Sequence, residues 1–340
     1  MHRLLYILLA FYLLSCGQDG NVENNVEQVV ETDSTSTERE KEFKAINEMI
    51  KADINNSAWY LKRANLYVKY NEMDLAIKDV DRAISIDSLV PDFYLLKAEL
   101  LKKQDKFKQA KNVLDQCMMV DNNNVEARVE LGYLALIVKD YKQAMEYADA
   151  ALKRNVHYAE AYYLKGMIFQ EKKDTVLALS SYNTAIEQEN DYYEAYIALG
   201  ILNMNRDLNL AKGYLQNAIR IQPESLEALY AYGMACQENG DYNEAIETYH
   251  KILSISEYRE PYFNLGYIHQ EYLKVYDVAI EWYTKAIELE PKYEDAYYNR
   301  GLCYEQLDMK NEAIADFKYA LQLNPQYTNA ALALGRVLKQ

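Results

Sequence analysis

Tyr133, Met167, Ile201, Met234, Tyr267 and Leu302 follow one another at intervals of 33 to 35 residues, and Tyr163, Ile197, Tyr230, Phe263 and Tyr298 precede them by four. Side chains four apart share one helical face. Tyrosine and methionine there do adhesive chemistry, offering large adaptable apolar area with a few polar handles. Bond-making chemistry finds no comparable footing. The sequence has no glycine-rich phosphate loop, no H-E-x-x-H and no G-x-S-x-G. His2, His157, His250 and His269 lack a second histidine at metal-ligand spacing, and His269 reads as a packing residue. Cys117, Cys236 and Cys303 have no C-x-x-C spacing and read as small buried hydrophobes. No metal, cofactor or enzymatic activity is expected.

The elements that carry these columns are legible from a second periodicity. Alanine recurs at Ala76, Ala110, Ala144, Ala178, Ala211, Ala245, Ala279 and Ala313, with every interval 34 residues except one of 33. A ladder of small residues runs twelve positions ahead of it in most units, at Ala64, Ala98, Gly132, Gly166, Gly200, Gly233, Gly266 and Gly301. A fixed period of this length marks stacked helix pairs, and one tiny side chain on each helix lets the backbones approach. All five prolines, Pro91, Pro223, Pro261, Pro291 and Pro325, fall at or near unit boundaries, where they spare the helix interiors. Inside the units a turn is required, and Asn239, Gly240 and Asp241 supply one that takes positive φ; Asp140 and Asp174 are weaker breakers elsewhere.

In the last full unit the columns read Tyr297, Arg300, Gly301 and Tyr304, then Ala313, Phe317, Ala320 and Pro325. This resembles the tetratricopeptide repeat pattern W-x2-L-G-x2-Y, A-x3-F, P, with Tyr for Trp and Arg300 in the Leu place. The resemblance covers residues 57–327 and implies an all-α, right-handed superhelical solenoid of about eight helix-turn-helix repeats. Residues 38–56 are expected to form an N-terminal cap helix and 328–340 a C-terminal one. In the family the first helix of each pair lines a concave groove. That places Tyr133, Tyr163, Met167, Ile201, Tyr230, Met234, Phe263, Tyr267, Tyr298 and Leu302 as candidate partner contacts. The column holding Tyr163 and Tyr230 has an equally simple reading as packing between neighbouring first helices. Gln170, Gln237, Gln270 and Glu305, three positions beyond Met167, Met234, Tyr267 and Leu302, are expected to be adaptable hydrogen-bonders beside the groove.

Composition narrows the partner. The 340 residues carry a formal charge of −15, which argues against nucleic acid, since phosphate binding needs clustered Lys and Arg. An acidic column, Asp92, Glu126, Glu160, Glu194, Glu227, Glu260 and Asp295, recurs near the start of each first helix; it either complements the helix N-termini or flanks the groove. It weighs against the family's carboxylate clamp, for which Lys62 and Asn65 are too few.

The first fifteen residues have signal-peptide anatomy: His2 and Arg3, an apolar run from Leu4 to Leu14, then Ser15. That run is too short to span a bilayer. Leu13, Leu14, Ser15 and Cys16 resemble the bacterial lipobox, which implies lipidation of Cys16 and several acyl chains at the new N-terminus; the alternative is an ordinary cleaved signal. Gly17 in place of Asp leans toward the outer membrane. Residues 16–37 are polar and are expected to form a flexible tether with a reach on the order of 25 Å. The chain is thus expected to be a non-enzymatic adaptor, lipid-anchored in a bacterial envelope, that binds envelope proteins or peptide segments and no nucleic acid. A role in envelope assembly, secretion or control of cell-wall enzymes fits equally. The alternative is a glycan- or nutrient-binding surface lipoprotein, whose large sugar-site insertions this chain lacks.

Overall fold

The computed structural model describes residues 28–339, with side chains from residue 38 onward. The segment 1–15 expected to be a signal peptide, and Cys16, lie outside the described residues. Every element described is helical, and the chain divides into two compact units, the first ending at Asn190 and the second beginning at Asp191.

In the first unit α1 (Gln28–Ala52) precedes four helix pairs: α2 (Ser57–Lys69) with α3 (Met73–Ile86), α4 (Pro91–Lys103) with α5 (Phe107–Val120), α6 (Val125–Ile137) with α7 (Tyr141–Leu152), and α8 (Ala159–Glu171) with α9 (Thr175–Gln188). Helix α1 starts at Gln28, inside the stretch expected to be tether. No glycine or proline interrupts residues 21–90, so nothing in the backbone stops the helix at Glu38. Its packed end carries Ile46 and Ile50, which are buried, and Phe43, which sits against Tyr67.

The second unit contains α10 (Tyr193–Asn203) with α11 (Leu208–Ile221), α12 (Leu226–Asn239) with α13 (Tyr242–Ile255), α14 (Arg259–Tyr267) with α15 (Tyr276–Leu289), and α16 (Glu294–Gln306) with α17 (Lys310–Leu323), then α18 (Thr328–Val337). Helix α14 runs on into a π-helical turn, Ile268–Leu273. Its cause is arithmetic. Gly266 and Ala279 are thirteen residues apart where Gly301 and Ala313 are twelve, and a π turn absorbs one extra residue without breaking the helix.

Local chemistry sets the ends. Side-chain oxygens of Asn124, Asp140, Asp174, Asp207 and Ser225 each accept from a backbone N–H three residues on, capping α6, α7, α9, α11 and α12. Pro91 opens α4 and Pro261 lies in the first turn of α14, where a missing N–H costs no helical bond. Asn71, Asp105, Lys139, Lys173, Lys274 and Asp308 take positive φ in the inner turns, as Gly240 does. Asp140 and Asp174, read as breakers, are therefore caps, and the residue before each makes the left-handed step. Only the fifth pair lacks such a residue among those described, and its turn is the one shortened in the 33-residue interval.

The two small-residue ladders are where the helices meet. All eight alanines from Ala76 to Ala313 are buried with 0% exposure. Opposite them, a Cβ on Gly233 would lie 2.8 Å from Cε1 of Tyr249, and one on Gly301 would lie 2.7 Å from Cε1 of Phe317. Tyr182, Tyr249, Tyr283 and Phe317 are the largest side chains wholly enclosed, each worth roughly 2–3 kcal/mol of apolar burial.

Candidate functional site

Consecutive first helices touch: α6 packs on α8 in the first unit, α10 on α12 and α16 on α18 in the second. Among the described residues no two second helices pack to that degree. Each unit therefore brings its first helices together on one side, and three columns of side chains compete for that side.

The inner column is structural. Val129, Tyr163, Ile197 and Tyr230 are buried, while Phe263 and Tyr298 are half-buried. Tyr163 packs on Tyr182 with ring centroids 5.4 Å apart, Tyr230 on Tyr249 at 6.3 Å, Phe263 on Tyr283 at 5.4 Å and Tyr298 on Phe317 at 6.0 Å. Tyr163 and Tyr230, expected as partner contacts, instead hold each first helix to its own second helix. Tyr230 Oη also accepts from Asn264 Nδ2 of the next first helix at 3.3 Å.

The glutamine column is structural too, which corrects its reading as a set of adaptable hydrogen-bonders. Tyr182 Oη donates to Gln170 Oε1 at 2.8 Å, Tyr249 to Gln237 at 3.2 Å and Tyr283 to Gln270 at 2.7 Å. A buried tyrosine needs a partner for its hydroxyl, and the glutamine supplies it. Where the second helix offers Leu215 or Phe317 instead, the first helix carries Met204 or Glu305. Glu305, with no hydroxyl to receive, pairs with Arg336 of α18 at 2.5 Å.

The middle column is only partly covered. Tyr133 and Met167 in the first unit, and Ile201, Met234, Tyr267 and Leu302 in the second, are all half-buried. Tyr133, Met167, Ile201, Met234 and Leu302 pack on the apolar clusters beneath them. Met234 Sδ lies 3.4 Å from Asn264 Nδ2. Sequence reasoning missed two neighbours of Tyr267. Tyr272 stands at 5.9 Å from it, near perpendicular, and Tyr242 stacks on Tyr272 at 4.2 Å. The π turn places Tyr272 there, and the only sequence signal was the extra residue between Gly266 and Ala279.

In the first unit burial first, then Glu130, Asp92 and Glu99, raise the Glu126 carboxyl. Burial first, then Glu130 and Glu126, raise the Glu160 carboxyl, against a hydrogen bond from Tyr158 Oη at 2.9 Å. In the second unit burial first, then Glu194, raise Glu227. Glu260 is paired with Arg259 and Asp295 accepts from Tyr327 Oη at 2.6 Å. Cys117, Cys236 and Cys303 are enclosed, with burial pushing their thiols up to about 11, 12 and 12, so they are poor nucleophiles. Among the described residues no group of His, Cys, Asp and Glu is arranged to hold a metal ion, and no helix is long and apolar enough to cross a membrane.

Family models described as tetratricopeptide repeats match residues 91–124, 129–194, 214–247 and 294–327, and one described as a TPR repeat matches 274–308. No curated protein matches the chain. Among solved structures, the C-terminal part of a TPR repeat-containing protein from Cytophaga hutchinsonii is similar with a TM-score of 0.59 at 21% identity, over 70% of this chain and 98% of that one. A chain of the APC/C hetero-tetramer Cut9–Hcn1 is similar with a TM-score of 0.53 at 19% identity, over 87% of this chain. This chain spans 58% of the length of that one. At these identities the likeness is one of fold. The repeat models, the stacked helix pairs and the small-residue ladders agree: the chain belongs to the tetratricopeptide repeat family, whose members are generally non-catalytic scaffolds that bind protein or peptide partners.

Proposed function

We propose that the chain is a non-enzymatic adaptor that binds peptide or helical segments of envelope proteins along its first helices and is lipid-anchored through Cys16 to a bacterial envelope membrane, the outer one. The observation that supports the binding reading is the middle column. Tyr133 and Met167 in the first unit, and Ile201, Met234, Tyr267 and Leu302 in the second, stay only partly buried on helices whose neighbouring columns are largely spent on internal packing. Partly exposed strips of this kind mark partner surfaces, and methionine lets them fit varied sequences. The anchor rests on the sequence Leu13, Leu14, Ser15, Cys16 and the apolar run before it.

Cross-linking in cells, followed by identification of bound proteins, tests the binding surface. Compared with the parent, a Met234→Glu/Leu302→Glu variant of unchanged helicity is expected to lose its main cross-linked partners; an identical partner set would place binding elsewhere. For the anchor, Cys16→Ser is expected to move the protein from the membrane to the soluble fraction. Retention on the membrane would refute lipidation.

A further inference from the structure

Tyr242, Tyr267 and Tyr272 make an aromatic corner in the second unit. Tyr242 begins α13, Tyr267 ends α14, and Tyr272 is delivered by the π turn. Tyr242 and Tyr272 stack at 4.2 Å with 21° between planes, while Tyr267 meets Tyr272 at 80°. Tyr272 remains 42% exposed, a large ring at the surface. An inserted residue that distorts a helix is retained against a cost, and such turns concentrate at functional sites.

Two carboxylates flank the corner. Glu238 and Glu271 lie one helical turn beyond Met234 and Tyr267 on the same faces, and both act on the Tyr267 hydroxyl, after its burial. Glu238 also acts on Tyr272. Glu271 is engaged by Gln270 Nε2 at 3.0 Å and Lys274 Nζ at 3.7 Å. Glu238 is exposed and forms no ion pair among the described residues. Ring faces carry negative potential, and an adjacent free carboxylate adds to it, so the corner is complementary to a cation rather than to a neutral or acidic group.

We propose that this corner is a subsite for a basic side chain, an arginine guanidinium of a bound peptide, which stacks on Tyr272 and pairs with Glu238. The proposal rests on the peptide-binding reading of the middle column and names the chemistry that the second unit selects there. A planar guanidinium suits both contacts, since it stacks on an aromatic face while its edge donates to a carboxylate. The overall charge of −15 favours the approach of such a partner.

Two fluorescein-labelled peptides test it, alike in leucine and tyrosine anchors, one bearing arginine and the other citrulline, its neutral isostere. Fluorescence anisotropy with the full chain is expected to show the arginine peptide binding about three- to tenfold tighter. Tyr272→Leu and Glu238→Gln, each separately, are expected to remove that preference. Glu238 is exposed, so its variant keeps the test valid should Tyr272→Leu unfold. Equal binding of both peptides to the parent would overturn the cation subsite and leave the apolar groove standing. A preference that survives both substitutions would also overturn it, by placing recognition elsewhere. Failure of both peptides to bind would count against the subsite and the groove together.

Discussion

Arg300 grips Asp316 at two points, with Nε donating to Oδ2 at 2.8 Å and Nη2 to Oδ1 at 2.9 Å. The third arm, Nη1, reaches Thr284 Oγ1 at 3.0 Å in the preceding pair. Arg63 does the same with Asp79 in the first pair, at 2.6 and 2.7 Å, and reaches Asn47 of α1 at 2.7 Å. Both bridges span sixteen residues and tie a helix pair to the element before it. At the corresponding positions of the third pair stand Leu131 and Tyr147, an apolar solution to the same contact.

Arg300→Leu should therefore be severe, although leucine is the repeat's usual residue. It strands Asp316, whose side chain is 9% exposed, and loss of one partner from a buried pair costs about 3 kcal/mol. Arg300→Leu/Asp316→Tyr, which copies the third pair, should recover most of the loss. Thermal unfolding of the two variants checks this; a double variant no more stable than the single one would show that the charge pair is not the reason for the arginine.

The tyrosine and glutamine pairing predicts a similar rescue. Tyr283→Phe leaves the buried Gln270 oxygen without its donor and should cost about 1–2 kcal/mol. Adding Gln270→Met, the residue type that the fifth pair sets opposite Leu215, should restore much of that. Urea unfolding of the two single variants and the double gives the coupling directly, and strict additivity would refute the pairing.

The ladders, the helix boundaries near proline and the count of pairs were readable in the sequence because each depends on one residue type at a fixed interval. The role of the glutamines was not, because it depends on a side chain twelve or thirteen positions away on another helix. Yet Gln170, Gln237 and Gln270 occur only in repeats that also carry Tyr182, Tyr249 and Tyr283, so the signal was present as covariation within one chain. The inner column stayed ambiguous, since Tyr163 packed on Tyr182 and the partly exposed Tyr267 share the same period. Nor could the extra residue before Ala279 say whether it lengthened a turn or made a π turn, and with that the aromatic corner was hidden.

Two glycines in the second unit should respond oppositely to alanine. On α12, Gly233→Ala would bring a Cβ to 2.8 Å from Tyr249, forcing a buried ring to move, and should cost about 1–3 kcal/mol. On α11, Gly213 has nothing within 4 Å of the added methyl, so Gly213→Ala should stabilise by about 0.5–1 kcal/mol through helix propensity. Melting temperatures that shift in the same direction for both would contradict the close-packed ladder.

The raised carboxyls fix the sign of one pH effect. Burial, then neighbouring carboxylates, lift Glu160 and Glu227 above the ordinary carboxylate range in the folded chain. The folded state therefore holds these two protons more tightly than the unfolded chain does. Their favourable contribution is fully present below the unfolded pKa and is lost as pH rises through the folded value, so at neutral pH both ionised groups work against the fold. The opposite shifts, at Glu42, Glu48, Asp241 and Glu244, come chiefly from lysine partners on exposed or partly exposed side chains, and their contribution disappears only at lower pH. A Glu160→Gln/Glu227→Gln variant should consequently raise the melting temperature at pH 7, with a gain that shrinks at a lower pH where the parent's own carboxyls become protonated. Glutamine keeps an oxygen for the Tyr158 hydroxyl, so the comparison isolates charge. A gain of the same size at both pH values would mean that crowding of charge along the first helices is not what the substitution relieves.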